Sequence, residues 1–175
     1  MITIIAGTNR PDSRARRIAN LYLNLLTAHG TPAQVLDLIG LPADFTTSAL
    51  YDNAGRHEGF NELAAKVSEA GKLVFIVPEY NCSFPGVLKA FIDGLPYPSG
   101  LGGKKAALVG LSSGGQGGVL ALNHLTDILM YLGTAVLPQR VRLPFIDKHL
   151  HENGTLTDTF LHQMLEEQVA HFLRF

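Results

Sequence analysis

Three short, near-continuous apolar runs, 1–6, 73–77 and 106–111, with Thr3 the one polar side chain among them, constrain this chain more than any other feature. A strand with one face in water alternates apolar and polar residues. A run without alternation buries both faces, as the strands of a parallel sheet do between two layers of helices. Each run gives way at once to turn-forming residues: Gly7, Pro78, and the pair Ser112 and Ser113. The stretches between them carry a helical period. After Ser13, a side chain suited to cap a helix, apolar residues fall at Ile18, Leu21, Tyr22, Leu25 and Leu26, and Gly30 stops the helix. Further helices are expected over about 60–70, 85–94, 119–132 and 157–173, the last with Leu161, Met164, Leu165, Val169 and Phe172 on one stripe. Residues 33–38 read as a second, shorter strand, and a fifth lies between 135 and 143. Residues 39–58 show no period and read as a long loop, and 95–103 as a connecting loop rich in glycine and proline. Five strands alternating with helices in 175 residues predict a single α/β domain, 1–175, built on a parallel sheet.

Ligands of such sheets bind beyond the carboxyl ends of the strands. That rule directs attention to the loops after Ala6, Val77 and Leu111. The first, 7–13, offers hydroxyls, main-chain N–H groups and a helix N-terminus, and four of the chain's eight arginines fall within 10–17. This is chemistry for a phosphate, although neither the dinucleotide glycine fingerprint nor the Walker A spacing is present. The alternative is an ordinary capped helix with a solvated basic face. The second loop, 78–85, sets Glu79, Tyr80, Asn81, Cys82 and Ser83 between prolines that stiffen the main chain. Its alternative is a rigid turn between strand and helix. The third, 112–118, has four glycines, which let a backbone pass close to something flat or bulky. Of the 18 glycines in the chain, ten lie between positions 86 and 118, so the excess concentrates around two of these three loops.

Arg10 with Ser13, then P-E-Y-N-C-S-F-P-G-V-L-K-A-F-I-D over 78–93, then S-S-G-G-Q-G-G over 112–118 resemble the NADPH-dependent FMN reductase family in order and spacing. That flavodoxin-like family also includes azoreductases, chromate reductases and quinone reductases, and the resemblance extends over residues 1–144. It implies a flavodoxin-like three-layer sandwich: a five-stranded parallel sheet of order 2-1-3-4-5 with helices on both faces. It also implies FMN at the strand ends. Thr8, Arg10 and Ser13 would then hold the FMN phosphate, with Arg14 or Arg16 assisting. Pro78, Glu79, Tyr80, Asn81, Cys82 and Ser83 would border the ring, largely through main-chain groups, and Ser112, Gly114, Gly115 and Gly118 would line it from the third loop. Asp93, near Lys89, matches a position of packing between subunits, which implies a homodimer or homotetramer. The chain departs from the family pattern at three places. Ala15 stands where the family commonly has asparagine, Cys82 where a small residue, usually glycine, is typical, and Gly94 where an aromatic often follows the aspartate.

The resemblance implies an oxidoreductase that passes hydride from NADPH or NADH to bound FMN and on to a small acceptor: a flavin, quinone, azo compound or metal oxyanion. The flavin would carry the chemistry, so no side chain is assigned as catalytic. The alternative is a flavodoxin-like electron carrier that oxidises no NAD(P)H itself. With 14 basic and 15 acidic residues the net charge is −1, which lacks the basic excess of a nucleic-acid binder. One cysteine excludes a disulfide framework and a cysteine-based zinc site, and His149 with His151 make a poor metal site. No apolar stretch approaches the length of a membrane span, and 1–7 lacks the basic start of a signal peptide, so the expected setting is the cytoplasm. Lys89 with Asp93, and His124 with Asp127, are expected as surface pairs on their helices.

Overall fold

The near-continuous apolar runs form the centre of one sheet. In this computed structural model, which describes residues 1–96 and 100–175, the chain runs β1 (Ile2–Ala6), α1 (Arg14–Ala28), β2 (Ala33–Asp37), α2 (Phe45–Ser48) and α3 (Glu58–Ser68). It continues through β3 (Lys72–Pro78), α4 (Gly86–Gly94), β4 (Lys105–Leu111), α5 (Val119–Tyr131), β5 (Ala135–Val136), β6 (Val141–Leu143), α6 (Ile146–His149) and α7 (Thr159–Arg174). Tyr97, Pro98 and Ser99 of the expected connecting loop lie outside the described residues.

Every strand pairing is parallel, in the order β2-β1-β3-β4-β5 that the flavodoxin-like resemblance implies. The expected fifth strand is two pieces on one edge. β5 pairs with Lys105 and Ala106, and β6 with Val109 to Leu111. Pro138 falls in the gap, where a residue without an N–H cannot continue a ladder.

Alternate residues of the buried strands feed two cores. Ile4, Val74, Ile76, Ala107 and Val109 face α1 and α7, with Ile18, Tyr22, Leu165 and Phe172. Ile5, Leu73, Phe75, Val77 and Leu108 face α3, α4 and α5, with Phe60, Phe91 and Leu125. Local signals set the helix ends. Ser13 caps α1 by accepting from Arg16 N, and Gly30, at φ +66, lets the chain turn away after its last turn. Asp158 caps α7 through Phe160 N and Leu161 N, so this helix begins two residues later than its periodicity suggests.

Residues 39–58 are not the featureless loop expected. Two short 3-10 turns and α2 press Phe45, Ala49 and Leu50 into the core, each 6% exposed or less. Phe45 stacks on Phe60 with centroids 6.0 Å apart, and Phe60 meets Phe91 at 5.6 Å. This cluster also accounts for Gly94. A β-carbon there would lie 2.5 Å from Phe60 Cζ and 2.7 Å from Leu50 Cδ2, so the aromatic that often follows the aspartate has no room.

Tyr22 links the two helices of its face. Its hydroxyl donates to Gln168 Oε1 at 3.2 Å, and Gln168 Nε2 donates to the carbonyls of Leu108 and Gln139. Burial pushes the Tyr22 phenol well above its ordinary value. The neutral phenol is the form that suits the core. Its contribution is therefore complete below the unfolded value near pH 10 and is lost as pH rises above it. Urea unfolding between about pH 9 and about pH 11 should show stability falling more steeply for the native chain than for Tyr22→Phe, by up to about 1.4 kcal/mol per pH unit. Parallel slopes would contradict the burial of a neutral phenol.

Candidate active site

The loops after β1, β3 and β4 meet over the carboxyl edge of the sheet and enclose a cleft of about 370 Å³. Its first wall is the start of α1. Ser13 is 7% exposed, and its Oγ accepts from Arg16 N at 3.1 Å, which leaves the hydroxyl hydrogen to donate elsewhere. The N–H groups of Arg14 and Ala15 find no acceptor in the protein among the described residues. A first turn with open N–H groups, at the positive end of the helix dipole, is an anion site in waiting. Arg10 and Arg14 also line the cleft, Arg14 held by an ion pair with Asp147 of α6. Arg16 turns away to Asp37 at 3.2 Å and does not line it. Thr8, 1% exposed, accepts from Arg10 N at 3.2 Å and shares a 2.9 Å hydrogen bond with the Tyr80 hydroxyl. That bond ties the first loop to the second.

Pro78, Glu79 and Tyr80 form the second wall. Part of the main chain of this loop is already engaged. Glu79 N donates to Leu111 O at 2.9 Å, while Tyr80 N donates to Ser83 O at 2.8 Å and Ser83 N to Tyr80 O at 3.0 Å. These N–H groups are spent inside the protein. Residues 80–83 make a tight hairpin turn with Asn81 at φ +51 and Cys82 at φ +61. Two left-handed positions in succession define a type I′ turn, for which glycine is the unstrained choice. A cysteine at such a position costs about 1 kcal/mol, which gives a physical reason for the glycine usual at this place in the family. Asn81, Cys82 and Ser83 stand at this turn, outside the cleft lining, with Cys82 exposed. Ser83 Oγ meets His124 Nδ1 of α5 at 2.9 Å, so His124 fastens the hairpin to α5 rather than pairing with Asp127. Lys89 and Asp93 pair as expected, at 2.7 Å.

One atom of the second wall is anomalous. Glu79 Oε2 is buried with no hydrogen-bond partner, the sole such side-chain atom among the described residues. Leaving a buried acceptor unpaired costs about 1–3 kcal/mol, more if it is charged.

Leu111, Ser112 and Ser113 form the third wall. Ser112 Oγ donates to Gly114 O at 2.8 Å and accepts from Gly117 N at 2.9 Å, which folds the glycine loop back on itself. Gly114, Gly115 and Gly118 therefore lie in this loop but outside the cleft lining. Ile146 closes the far side, its N donating to Ser112 O at 3.0 Å. Ala15, Leu111 and Ile146 are lining residues that sequence reasoning missed. Apolar residues at the edge of a polar site carry no signal of their own. A larger groove of about 450 Å³ runs between α4 and α5, past Ile92, Leu95, Ile128 and Leu132. It is apolar and away from the strand ends, so it is not the anion site.

Among the described residues, no group of three or more His, Cys, Asp or Glu is placed to hold a metal, and no helix is long and apolar enough to cross a membrane. The sequence profile of the NADPH-dependent FMN reductase family matches residues 1–147. A 2-hydroxy-1,4-benzoquinone reductase of Burkholderia is 28% identical, over 97% of this chain and 94% of the relative. An NAD(P)H-dependent FMN reductase of Pseudomonas aeruginosa is 29% identical, over 82% of this chain and 78% of its own length. The solved structure of FerB, a flavoenzyme NAD(P)H:(acceptor) oxidoreductase from Paracoccus denitrificans, superposes with a TM-score of 0.83 at 25% identity, covering 99% of this chain and 94% of that one. With its flavodoxin-like sheet and a cleft at the strand ends, the chain belongs to the NADPH-dependent FMN reductase family.

Proposed function

We propose that the cleft holds FMN with its phosphate at the start of α1, and that the chain passes electrons from NAD(P)H to small acceptors, quinones foremost. Members of the family bind FMN and use NAD(P)H. The observation that carries the site assignment is how the cleft's unpaired groups match this cofactor. An open first turn, a free Ser13 hydroxyl and Arg10 suit a phosphate dianion. The orphaned Glu79 Oε2 needs a donor, and FMN has donors in its ribityl hydroxyls and its ring N–H. The residues fit the group.

Bound FMN supplies the redox chemistry, taking two electrons from a reduced nicotinamide and giving them to the acceptor. The chain's own residues bind, orient and exclude water. Ser13 and Arg10 fix the phosphate end, the Thr8–Tyr80 bond keeps two walls in register, and Leu111 and Ile146 supply apolar surface at the floor. Quinones are favoured because a relative aligned over nearly its whole length is named a benzoquinone reductase. An electron carrier is not favoured, since the named relatives are reductases. A requirement for NAD(P)H favours the cytoplasm as its setting. The apolar groove between α4 and α5, with Tyr131 86% exposed beside it, supports a homodimer or homotetramer, which light scattering would weigh directly. The functional test is NADPH oxidation with excess benzoquinone. Many turnovers per flavin are expected. No NADPH oxidation by the FMN-loaded protein would mark a carrier instead.

A further inference from the structure

Against the third loop lies a smaller concavity of about 240 Å³, lined by Val119, Leu122, Asn123, Pro138, Arg140 and Arg142. No carboxylate lines it, and neither arginine forms an ion pair among the described residues. Arg140 Nη1 donates to Asn123 Oδ1 at 2.8 Å and to Thr126 Oγ1 at 3.3 Å. These neutral partners hold the guanidinium in place and leave its charge uncompensated. Arg142 is the outward residue of β6, between buried Val141 and Leu143, and its guanidinium makes no hydrogen bond among the described residues. The pocket opens at the first turn of α5, which has neither an acidic residue nor a side-chain cap, since Gly118 stands at that position. Two guanidinium groups without an ion pair among the described residues and a positive helix end thus line one pocket in a chain of net charge −1.

The pocket is one loop away from the cleft. Ser112 and Ser113 face the cleft, whereas a β-carbon added at Gly117 would stand 2.9 Å from Arg142 Cβ. Arg142 pairs with Gly110, two residues before Ser112 of the cleft wall, so the other half of a dinucleotide whose nicotinamide reached the cleft would extend toward the arginines. We propose that Arg140 and Arg142 bind the 2′-phosphate of NADPH, the phosphomonoester that distinguishes it from NADH. This rests on the assignment of the cleft to flavin. Planar guanidinium groups suit a phosphate dianion, and Val119, Leu122 and Pro138 give apolar surface for the ribose and adenine that carry it.

Two measurements on the FMN-loaded protein test the assignment. In steady state, Arg142→Ala should lower the ratio of kcat/KM for NADPH over NADH by about tenfold or more, through KM for NADPH, with Arg142→Lys intermediate. In calorimetry, adenosine 2′,5′-bisphosphate should bind about tenfold or more tighter than AMP or inorganic phosphate, and Arg140→Ala/Arg142→Ala should remove the difference. An unchanged ratio, or 2′,5′-bisphosphate binding no tighter than AMP, would overturn the proposal. Tight binding of inorganic phosphate alone would also overturn it, as a general anion site. If the protein oxidises neither nucleotide, the flavin assignment fails, and the calorimetric comparison still decides this one. Both arginines are exposed, so the variants should keep the native melting temperature.

Discussion

An Arg10→Ala/Ser13→Ala double variant should bind FMN about a thousandfold more weakly than the native chain, while its affinity for riboflavin changes by less than about tenfold. Riboflavin lacks the phosphate and is otherwise the same ligand. A hydrogen bond to a charged group contributes about 1.5–3 kcal/mol, and two such bonds lost give the stated factor if their effects add. Ser13 is the stronger candidate of the pair, because it is 7% exposed and its Oγ is already oriented by Arg16 N. Its removal also takes the cap from α1, at about 1 kcal/mol, or roughly 2–4 °C in Tm. That loss is too small to unfold the protein, and a thermal melt separates it from the binding effect. Equal weakening of both flavins would place the phosphate elsewhere.

Phe60→Ala should cost about 3–5 kcal/mol of stability, read as a drop in the urea midpoint and about 10 °C in Tm. The ring is 1% exposed, lies between Phe45 and Phe91, and fills the space beside Gly94. Removing it leaves a void bounded by α2, α3 and α4, and the short turns over 38–53 lose the surface they rest on. A cost below about 1 kcal/mol would mean that this segment collapses freely onto the vacated site and is the loose loop its sequence suggests.

The sequence makes the sheet legible because burial on both faces leaves a direct trace, the near-continuous runs in β1, β3 and β4. Strand order has no such trace, and here it follows from family resemblance. The segment over 39–58 misleads for a physical reason: Phe45, Ala49 and Leu50 anchor turns too short to show a period. A single edge strand is split because one proline interrupts pairing without disturbing the apolar pattern around it.

The candidate site is legible to the same degree. Thr8, Arg10, Ser13, Arg14, Pro78, Glu79, Tyr80 and Ser112 surround one cleft because the segments that leave the carboxyl ends of β1, β3 and β4 carry them. Only the folded arrangement reveals that the N–H groups of Glu79, Tyr80 and Ser83 are already spent, and that one Glu79 oxygen is not. Arg140 and Arg142 look in sequence like ordinary surface charge. Their significance comes from α5 and Gly117, which bring a helix end and a loop against them.

The most direct measurement is the visible spectrum of the purified protein, mixed with FMN, desalted, and then given NADPH without oxygen. Yellow protein that carries about one FMN per chain through the column and is bleached by NADPH is the expected result. Colourless protein after desalting would contradict the assignment of the cleft, and yellow protein that NADPH leaves unchanged would contradict the proposed electron donor.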